Sequence, residues 1–132
     1  MIVDSEGQLF VLTKVKKGES ELYAFGAFEA SATKKGKRVG VYAVEDDRKK
    51  GTRTTSAALS PNGKWLAVRT YHRVYVFDAS SGVQTALSRT PCVFEPVEEP
   101  QGEAIAWASD ESLLLTSEGV GEPLWRIPFV VR

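Results

Sequence analysis

Five polar side chains in this sequence have the chemistry of a ligand site. They are Lys14, Arg69, Tyr71, Glu103 and Glu118. Ammonium and guanidinium groups hold anions through charge-assisted hydrogen bonds, so Lys14 and Arg69 are candidates for an anionic group. Carboxylates accept hydrogen bonds and bind cations, which makes Glu103 and Glu118 candidates for sugar hydroxyls or a cation. We interpret the five as one mixed-charge site, in which loss of Arg69 weakens the binding of an anion.

A purely structural interpretation of these residues stays open beside the first. They pair with one another and cap strand ends in that case, and they bind nothing. Calcium needs about six to eight oxygen ligands, and two carboxylates are too few unless carbonyls and water complete the shell. We therefore predict no metal site and no cofactor.

Recognisable catalytic residues are missing from the sequence. His72 is the only histidine and Cys92 the only cysteine, and no nucleophile motif of the GxSxG kind is present. His72 is predicted to lie in a turn, and Cys92 in a short strand. The large aromatic residues at strand-like positions are predicted to pack in the core; they are Trp65, Tyr75, Trp107 and Trp125.

Three copies of one hairpin pattern must position the polar residues. The copies are VDSEGQLFVLTK (3–14), LSPNGKWLAVRT (59–70) and WASDESLLLTSE (107–118), and they align without a gap. The turn SPNG requires a glycine with positive φ, so we predict a left-handed conformation for Gly63 and, by alignment, for Gly7. Because the second strand of a hairpin runs back along the first, the five polar residues are predicted to meet at one end of the sheets.

Further strand-like segments follow each hairpin. The third segments are ELYAF (21–25), RVYVFD (73–78) and PLWRI (123–127), with Tyr23, Tyr75 and Trp125 in register. The fourth segments are RVGVYAV (38–44), CVF (92–94) and FVV (129–131). Four-stranded antiparallel units that recur at this spacing are typical of β-propeller blades. We predict an all-β chain of three blades, at about residues 1–47, 48–98 and 99–132; a β-sandwich is the alternative.

The hairpin SPNGKWLAVRTY is similar to the SPDGK hairpins of WD-repeat and TolB-like propellers. Together with LFVLTK and PQGEAIAW, it resembles the later blades of bacterial, often exported, six-bladed propeller proteins whose role is largely uncharacterised. Phe77-Asp78 stands where many WD-repeat blades have Trp-Asp, which is a departure from that family. The resemblance implies a fold and leaves the function open.

Three blades cannot close a ring, because natural propellers have about four to eight. The chain is therefore a fragment of a longer propeller, a half-ring with no ligand of its own, or a protomer that closes by association. Residues 1–53 hold 11 basic and 8 acidic side chains (+3), and residues 54–132 hold 6 and 9 (−3). This polarity, and an innermost strand reduced to MIV in the first unit, favour a head-to-tail homodimer that forms a six-bladed ring.

The overall composition excludes several classes of partner. Basic and acidic residues both number 17, so neither a nucleic acid nor an anionic membrane is predicted as a partner. We expect no signal peptide and no membrane span, and the compartment stays open. The sequence favours a non-enzymatic propeller module that binds a protein or a small ligand. The alternative is a hydrolase of phosphate or carbohydrate esters that uses the same mixed-charge site.

Overall fold

Antiparallel β-strands make up nearly all of the regular structure. A computed structural model describes residues 1–15, 19–27, 29, 31, 33–44 and 52–130. These residues form eleven strands and one helix of four residues. The predicted all-β class is therefore confirmed.

The strands come in three groups along the chain. The first group is β1 (Ile2–Val3), β2 (Gln8–Leu12), β3 (Ser20–Ala27) and β4 (Lys37–Tyr42). The second group is β5 (Thr54–Leu59), β6 (Trp65–Thr70), β7 (Val74–Asp78) and β8 (Cys92–Phe94), with helix α1 (Val83–Ala86) before β8. The third group is β9 (Gly102–Ser109), β10 (Ser112–Ser117) and β11 (Leu124–Pro128).

Each group forms one sheet in which strands adjacent in sequence pair with each other. Sheet 1 has the order β1-β2-β3-β4, sheet 2 the order β5-β6-β7-β8, and sheet 3 the order β9-β10-β11. All of these pairings are antiparallel. The chain therefore runs as three successive meanders.

Sheet 2 is covered on both faces, which explains why its strands are apolar at consecutive positions. Leu66 and Val68 lie in a core shared with sheet 1, whereas Ala67 between them lies in a core shared with sheet 3. All three residues are fully buried. Successive side chains of a strand point to opposite faces of the sheet. A strand that is covered on both faces is therefore apolar at consecutive positions, without an alternation of apolar and polar residues.

The large aromatic residues pack in these cores, as predicted. Trp65 and Trp107 both meet Phe129 edge-on, with ring centroids 5.6 Å and 5.4 Å from that of Phe129. Tyr75 is buried in the core between sheets 1 and 2, and Trp125 packs against the core between sheets 2 and 3. Because these four rings pack in or against the cores, they do not form an exposed row on which a carbohydrate could stack.

The hairpin loops that join the first two strands of each sheet differ in length. At equivalent positions beside these loops, the cross-strand pairs are Val3–Leu9, Leu59–Leu66 and Trp107–Leu113. Five residues separate the partners of the first and third pairs along the chain, and six separate those of the middle pair. The predicted gap-free alignment is therefore wrong by one residue along the second strand of the middle hairpin, and it holds between the first and third copies.

The corrected register changes which polar residues are equivalent. One set of equivalent residues is Leu12, Arg69 and Thr116, and the set two residues further along is Lys14, Tyr71 and Glu118. Arg69 thus takes the position of Leu12, a side chain that packs against the core between two sheets. The third strands are in register as predicted, with Tyr23, Tyr75 and Trp125 opposite Val11, Val68 and Leu115.

The fourth strand predicted at FVV (129–131) is not formed in the described residues. Phe129 and Val130 lie outside any strand, and residue 131 lies outside the described part of the chain. Phe129 instead fills the space between Trp65 and Trp107, because its backbone N–H donates to Glu111 and turns it into the core. The predicted boundary between the first two units, at 47/48, also falls outside the described residues.

Two threonines at the start of β5 tie the three sheets together at one end. The Thr54 hydroxyl donates to the carbonyl of Thr13 at 2.8 Å, and the Thr55 hydroxyl donates to the carbonyl of Gly102 at 2.9 Å. The Ser20 and Thr54 hydroxyls are hydrogen-bonded to each other at 2.9 Å, which extends this buried series of hydrogen bonds to β3. These bonds fix the relative height of the strand ends on which the predicted site depends.

Candidate ligand-binding site

The polar cluster of this chain lies where the second strands of the hairpins end. We use this name for Lys14, Tyr71, Gln101, Glu103 and Glu118. Lys14 follows β2, Tyr71 follows β6 and Glu118 follows β10, each two residues beyond an equivalent position. Glu103 stands at the start of β9 and Gln101 just before it. Antiparallel pairing therefore brings residues 89 apart in sequence into contact.

An ion pair between Lys14 and Glu103 forms the centre of the cluster. The Lys14 Nζ lies 3.1 Å from Oε1 and 3.2 Å from Oε2 of Glu103. The same ammonium lies 4.9 Å from the centroid of the Tyr71 ring, within the range of a cation–π contact. Since the Lys14 side chain is 44% exposed, solvent screens this pair, and it contributes less than about 1 kcal/mol to stability.

The cluster keeps both of these groups charged around neutral pH. Burial favours the neutral form of Lys14, but hydrogen bonds to Tyr71 and Glu103 outweigh it and raise its pKa. Burial likewise opposes the charge on Glu103, but hydrogen bonds from Gln101 and Lys14 outweigh it and lower its pKa. The Glu103 contribution to stability is therefore present above its ordinary pKa and lost in acid, and that of Lys14 is lost only in strong alkali.

Gln101 links the two carboxylates of the cluster. Its side-chain Nε2 donates to Glu103 at 3.0 Å and also to Oε2 of Glu118. The Ser117 hydroxyl donates to the Gln101 carbonyl at 2.7 Å and accepts from its backbone N–H at 2.9 Å, which holds Gln101 in place. Sequence reasoning missed Gln101, because it lies in a loop between strands and outside the repeated segments.

Arg69 lies behind the cluster and not in it. Its side chain is fully buried, and its Nη1 donates to the carbonyls of Ala104 at 2.6 Å and Thr116 at 3.1 Å. Its Nη2 pairs with the carboxylate of Glu99, which is also buried. Desolvation lowers the pKa of Arg69 to about 10, so the guanidinium stays charged at neutral pH. These contacts favour the structural interpretation for Arg69 over the predicted anion-binding role.

Gly102 leaves the space that the Arg69 guanidinium occupies. A Cβ atom at position 102 would lie 2.3 Å from Nη2 of Arg69, closer than non-bonded atoms approach. The segment PVEEPQG (96–102) thus supplies both the buried carboxylate and the gap beside it. The segment contains two prolines, Pro96 and Pro100, and nothing in its sequence indicates the contact with Arg69.

Of the predicted site residues, the structure brings together Lys14, Tyr71 and Glu103, and it joins Glu118 to them through Gln101. Arg69 is separated from the surface that these four share. Whether the cluster binds a ligand stays a prediction. The predicted roles of His72 and Cys92 agree with their places, because His72 lies in the bend between β6 and β7 and Cys92 begins β8.

A small pocket lies beside one residue of the cluster, and a larger cleft lies at the opposite end of the sheets. The small pocket, between Lys14 and the start of β5, holds about 50 Å³ and borders no other residue of the cluster. The cleft between the first two hairpin turns holds about 620 Å³, with Phe10 and Val83 in its floor and Asp4 and Lys64 on its rim. Its volume falls in the usual range for ligand pockets, and the sequence gave no indication of it.

Among the described residues, no group of three or more His, Cys, Asp and Glu side chains is placed to hold a metal ion. No helix in the same residues is long and apolar enough to cross a membrane.

Comparison with known proteins leaves the family of this chain open. No protein-family model matches the chain, and no curated protein matches it either. The resemblance to propeller repeats therefore stays an expectation from the sequence.

Proposed function

We propose that the three sheets are blades of a β-propeller and that the chain is a non-enzymatic binding module whose ligand site is the polar cluster. The order of the sheets supports the propeller arrangement, because each is a meander and each packs face to face with the next. The first strands β1, β5 and β9 also lie beside one another, as strands around a central channel do. The polar cluster then lies at one mouth of that channel.

Both cations, Lys14 and Arg69, are already paired with carboxylates of the chain. This observation indicates the class of ligand and carries the proposal. Lys14 already contacts Glu103 and Tyr71, and Arg69 is buried against Glu99. An anion would therefore have to displace a carboxylate from either cation. With two carboxylates, a phenol and an amide, the cluster instead suits a small ligand that carries hydroxyl groups or an ammonium group.

A binding panel tests this ligand class. Thermal shift and calorimetry are measured with neutral sugars, polyols, primary amines and inorganic phosphate. We expect stabilisation by a member of the first three groups and none by phosphate. Tyr71→Phe removes a hydroxyl and Glu118→Gln replaces a carboxylate with a neutral amide; each should weaken binding about 5-fold to 100-fold, the effect of one hydrogen bond. Lys35→Ala, at an exposed lysine away from the cluster, is the control.

Two results would overturn the proposal. Binding that survives both cluster substitutions and is lost in Lys64→Ala would move the site to the cleft at the opposite end. Turnover of phosphate esters, carboxylic esters or glycosides that is abolished by Glu103→Ala would make the chain a hydrolase.

A further inference from the structure

The outer face of sheet 1, which points away from sheet 2, carries residues equivalent to those that sheet 2 buries against sheet 1. Its members Val3, Leu9, Val11 and Tyr23 correspond by strand register to Leu59, Leu66, Val68 and Tyr75 of sheet 2. The residues of sheet 2 pack in the core shared with sheet 1. No other sheet among the described residues covers this face of sheet 1, and Val3 is 54% exposed and Val41 43% exposed.

The outer face of sheet 3 carries the matching residues for a sheet that follows. Leu124 pairs with Thr116, as Leu22 pairs with Leu12 and Val74 with Arg69. Leu22 and Val74 are both 0% exposed, because the next sheet covers them, whereas Leu124 is 67% exposed. The difference in exposure therefore follows from the place of the sheet and not from the type of residue.

We infer that a second copy of this chain covers both faces, with its sheet 1 on sheet 3 of the first copy and its sheet 3 on sheet 1. This inference rests on the proposed propeller arrangement and names its partner. Each chain offers one face of each kind, so a second copy satisfies both faces at once in a closed six-sheet ring. Inside one chain, the equivalent faces of neighbouring sheets already pack on each other.

Charge favours this head-to-tail arrangement over one in which like faces meet. Residues 1–53 carry 11 basic and 8 acidic side chains, a net charge of +3, and residues 54–132 carry 6 and 9, a net charge of −3. Contact between sheet 1 of one copy and sheet 3 of the other brings opposite net charges together. Contact between like faces brings like charges together.

The second copy also enlarges the ligand site. Lys14, Tyr71 and Glu118 hold equivalent positions on successive sheets. In the ring, each position occurs twice around the channel mouth. The second copy therefore contributes residues to the site, and one chain alone holds half of it.

The mass of the chain in solution tests the inference directly. Light scattering at micromolar concentration should give twice the chain mass of 14.5 kDa. Leu124→Lys and Val3→Glu each place a charge on one of the two faces, and either should weaken self-association at least about 100-fold. Val120→Glu, at a fully exposed valine outside both faces, should leave the mass unchanged.

Mixing the two face variants tests the pairing of the faces. The mixed dimer has one unaltered interface and one in which the introduced carboxylate meets the introduced ammonium group. We therefore expect the equimolar mixture to recover the double mass that each variant has lost. A stable single-chain mass for the unaltered protein would overturn the inference. So would open-ended polymers, or a mixture that stays monomeric.

The mass in solution tests the second copy and the binding panel tests the ligand site, so the two proposals can fail independently. A monomer that binds its ligand through Tyr71 and Glu118 would overturn the second copy alone. A dimer that binds no member of the panel would overturn the ligand site alone.

Discussion

Arg69 is the residue at which a functional and a structural role compete. Its guanidinium bonds the carbonyls of Ala104 and Thr116 and pairs with Glu99. Even so, Nε of Arg69 and Oε1 of Glu99 find no hydrogen-bond partner within the described residues. A buried ion pair that is not fully satisfied contributes little net stability, although removing one partner alone is costly.

We predict that Arg69→Ala lowers the free energy of unfolding by about 3–5 kcal/mol, because it leaves the Glu99 carboxylate buried and unpaired. The double variant Arg69→Met/Glu99→Leu should be more stable than Arg69→Ala, since it removes both charges and keeps the volume. Urea unfolding measures both. Arg73→Ala, which breaks the exposed pair with Glu95, should change stability by less than about 1 kcal/mol.

The opposite result has a clear meaning. If Arg69→Ala kept its stability and lost a bound anion, the guanidinium would be a ligand-binding group, as the sequence predicted.

Gly102 provides a second test of the same packing. A side chain at this position meets the Arg69 guanidinium, so we predict that Gly102→Ala costs about 1–3 kcal/mol through overpacking. Gly40→Ala is the matched control, because its Cβ would come no closer than 3.9 Å to a neighbour outside the adjoining residues. Thermal unfolding of the two variants distinguishes them. Equal melting temperatures would show that the guanidinium moves aside freely.

The hairpins show how one residue of loop length decides which side chains reach the surface. Gly7 and Gly63 have φ values of 75° and 73°, which confirms the predicted left-handed turn conformation. The middle hairpin nevertheless contains one residue more between equivalent paired positions than the other two. A one-residue shift exchanges the faces of a strand, so it turns Arg69 into the interior and places Tyr71 in the polar cluster.

We predict that Gly63→Val costs about 1–2 kcal/mol and that the cost is backbone strain alone. No atom outside the adjoining residues lies within 4 Å of a Cβ built at position 63, so steric overlap does not contribute. Gly63→Asn should cost less, because asparagine tolerates the left-handed region. Chemical denaturation gives both values. A valine variant as stable as the unaltered chain would contradict the turn geometry.

Periodicity and turn chemistry are enough to predict most strands of this chain, because each strand is specified by its own residues. CVF (92–94) and TTSAAL (54–59) coincide with β8 and β5. The predictions that failed concern residues whose positions depend on contacts with residues distant in sequence. Phe129 leaves the strand pattern to pack between Trp65 and Trp107, and the pairing of Arg69 with Glu99 depends on a loop without a repeat. Neither contact leaves a local sign in the sequence.

The whole assembly should unfold in a way that depends on protein concentration. In the proposed ring of two chains, unfolding is coupled to dissociation, so mass action raises the melting temperature with concentration. An unfolding enthalpy near 0.7 kcal/mol per residue over two chains predicts a rise of about 5 °C for an increase of about 100-fold. Salt between about 0.1 M and 1 M should change the melting temperature little, because apolar faces dominate the contact. Leu124→Lys should abolish the concentration dependence, and a melting temperature of the unaltered chain that is constant over the same range would contradict the ring.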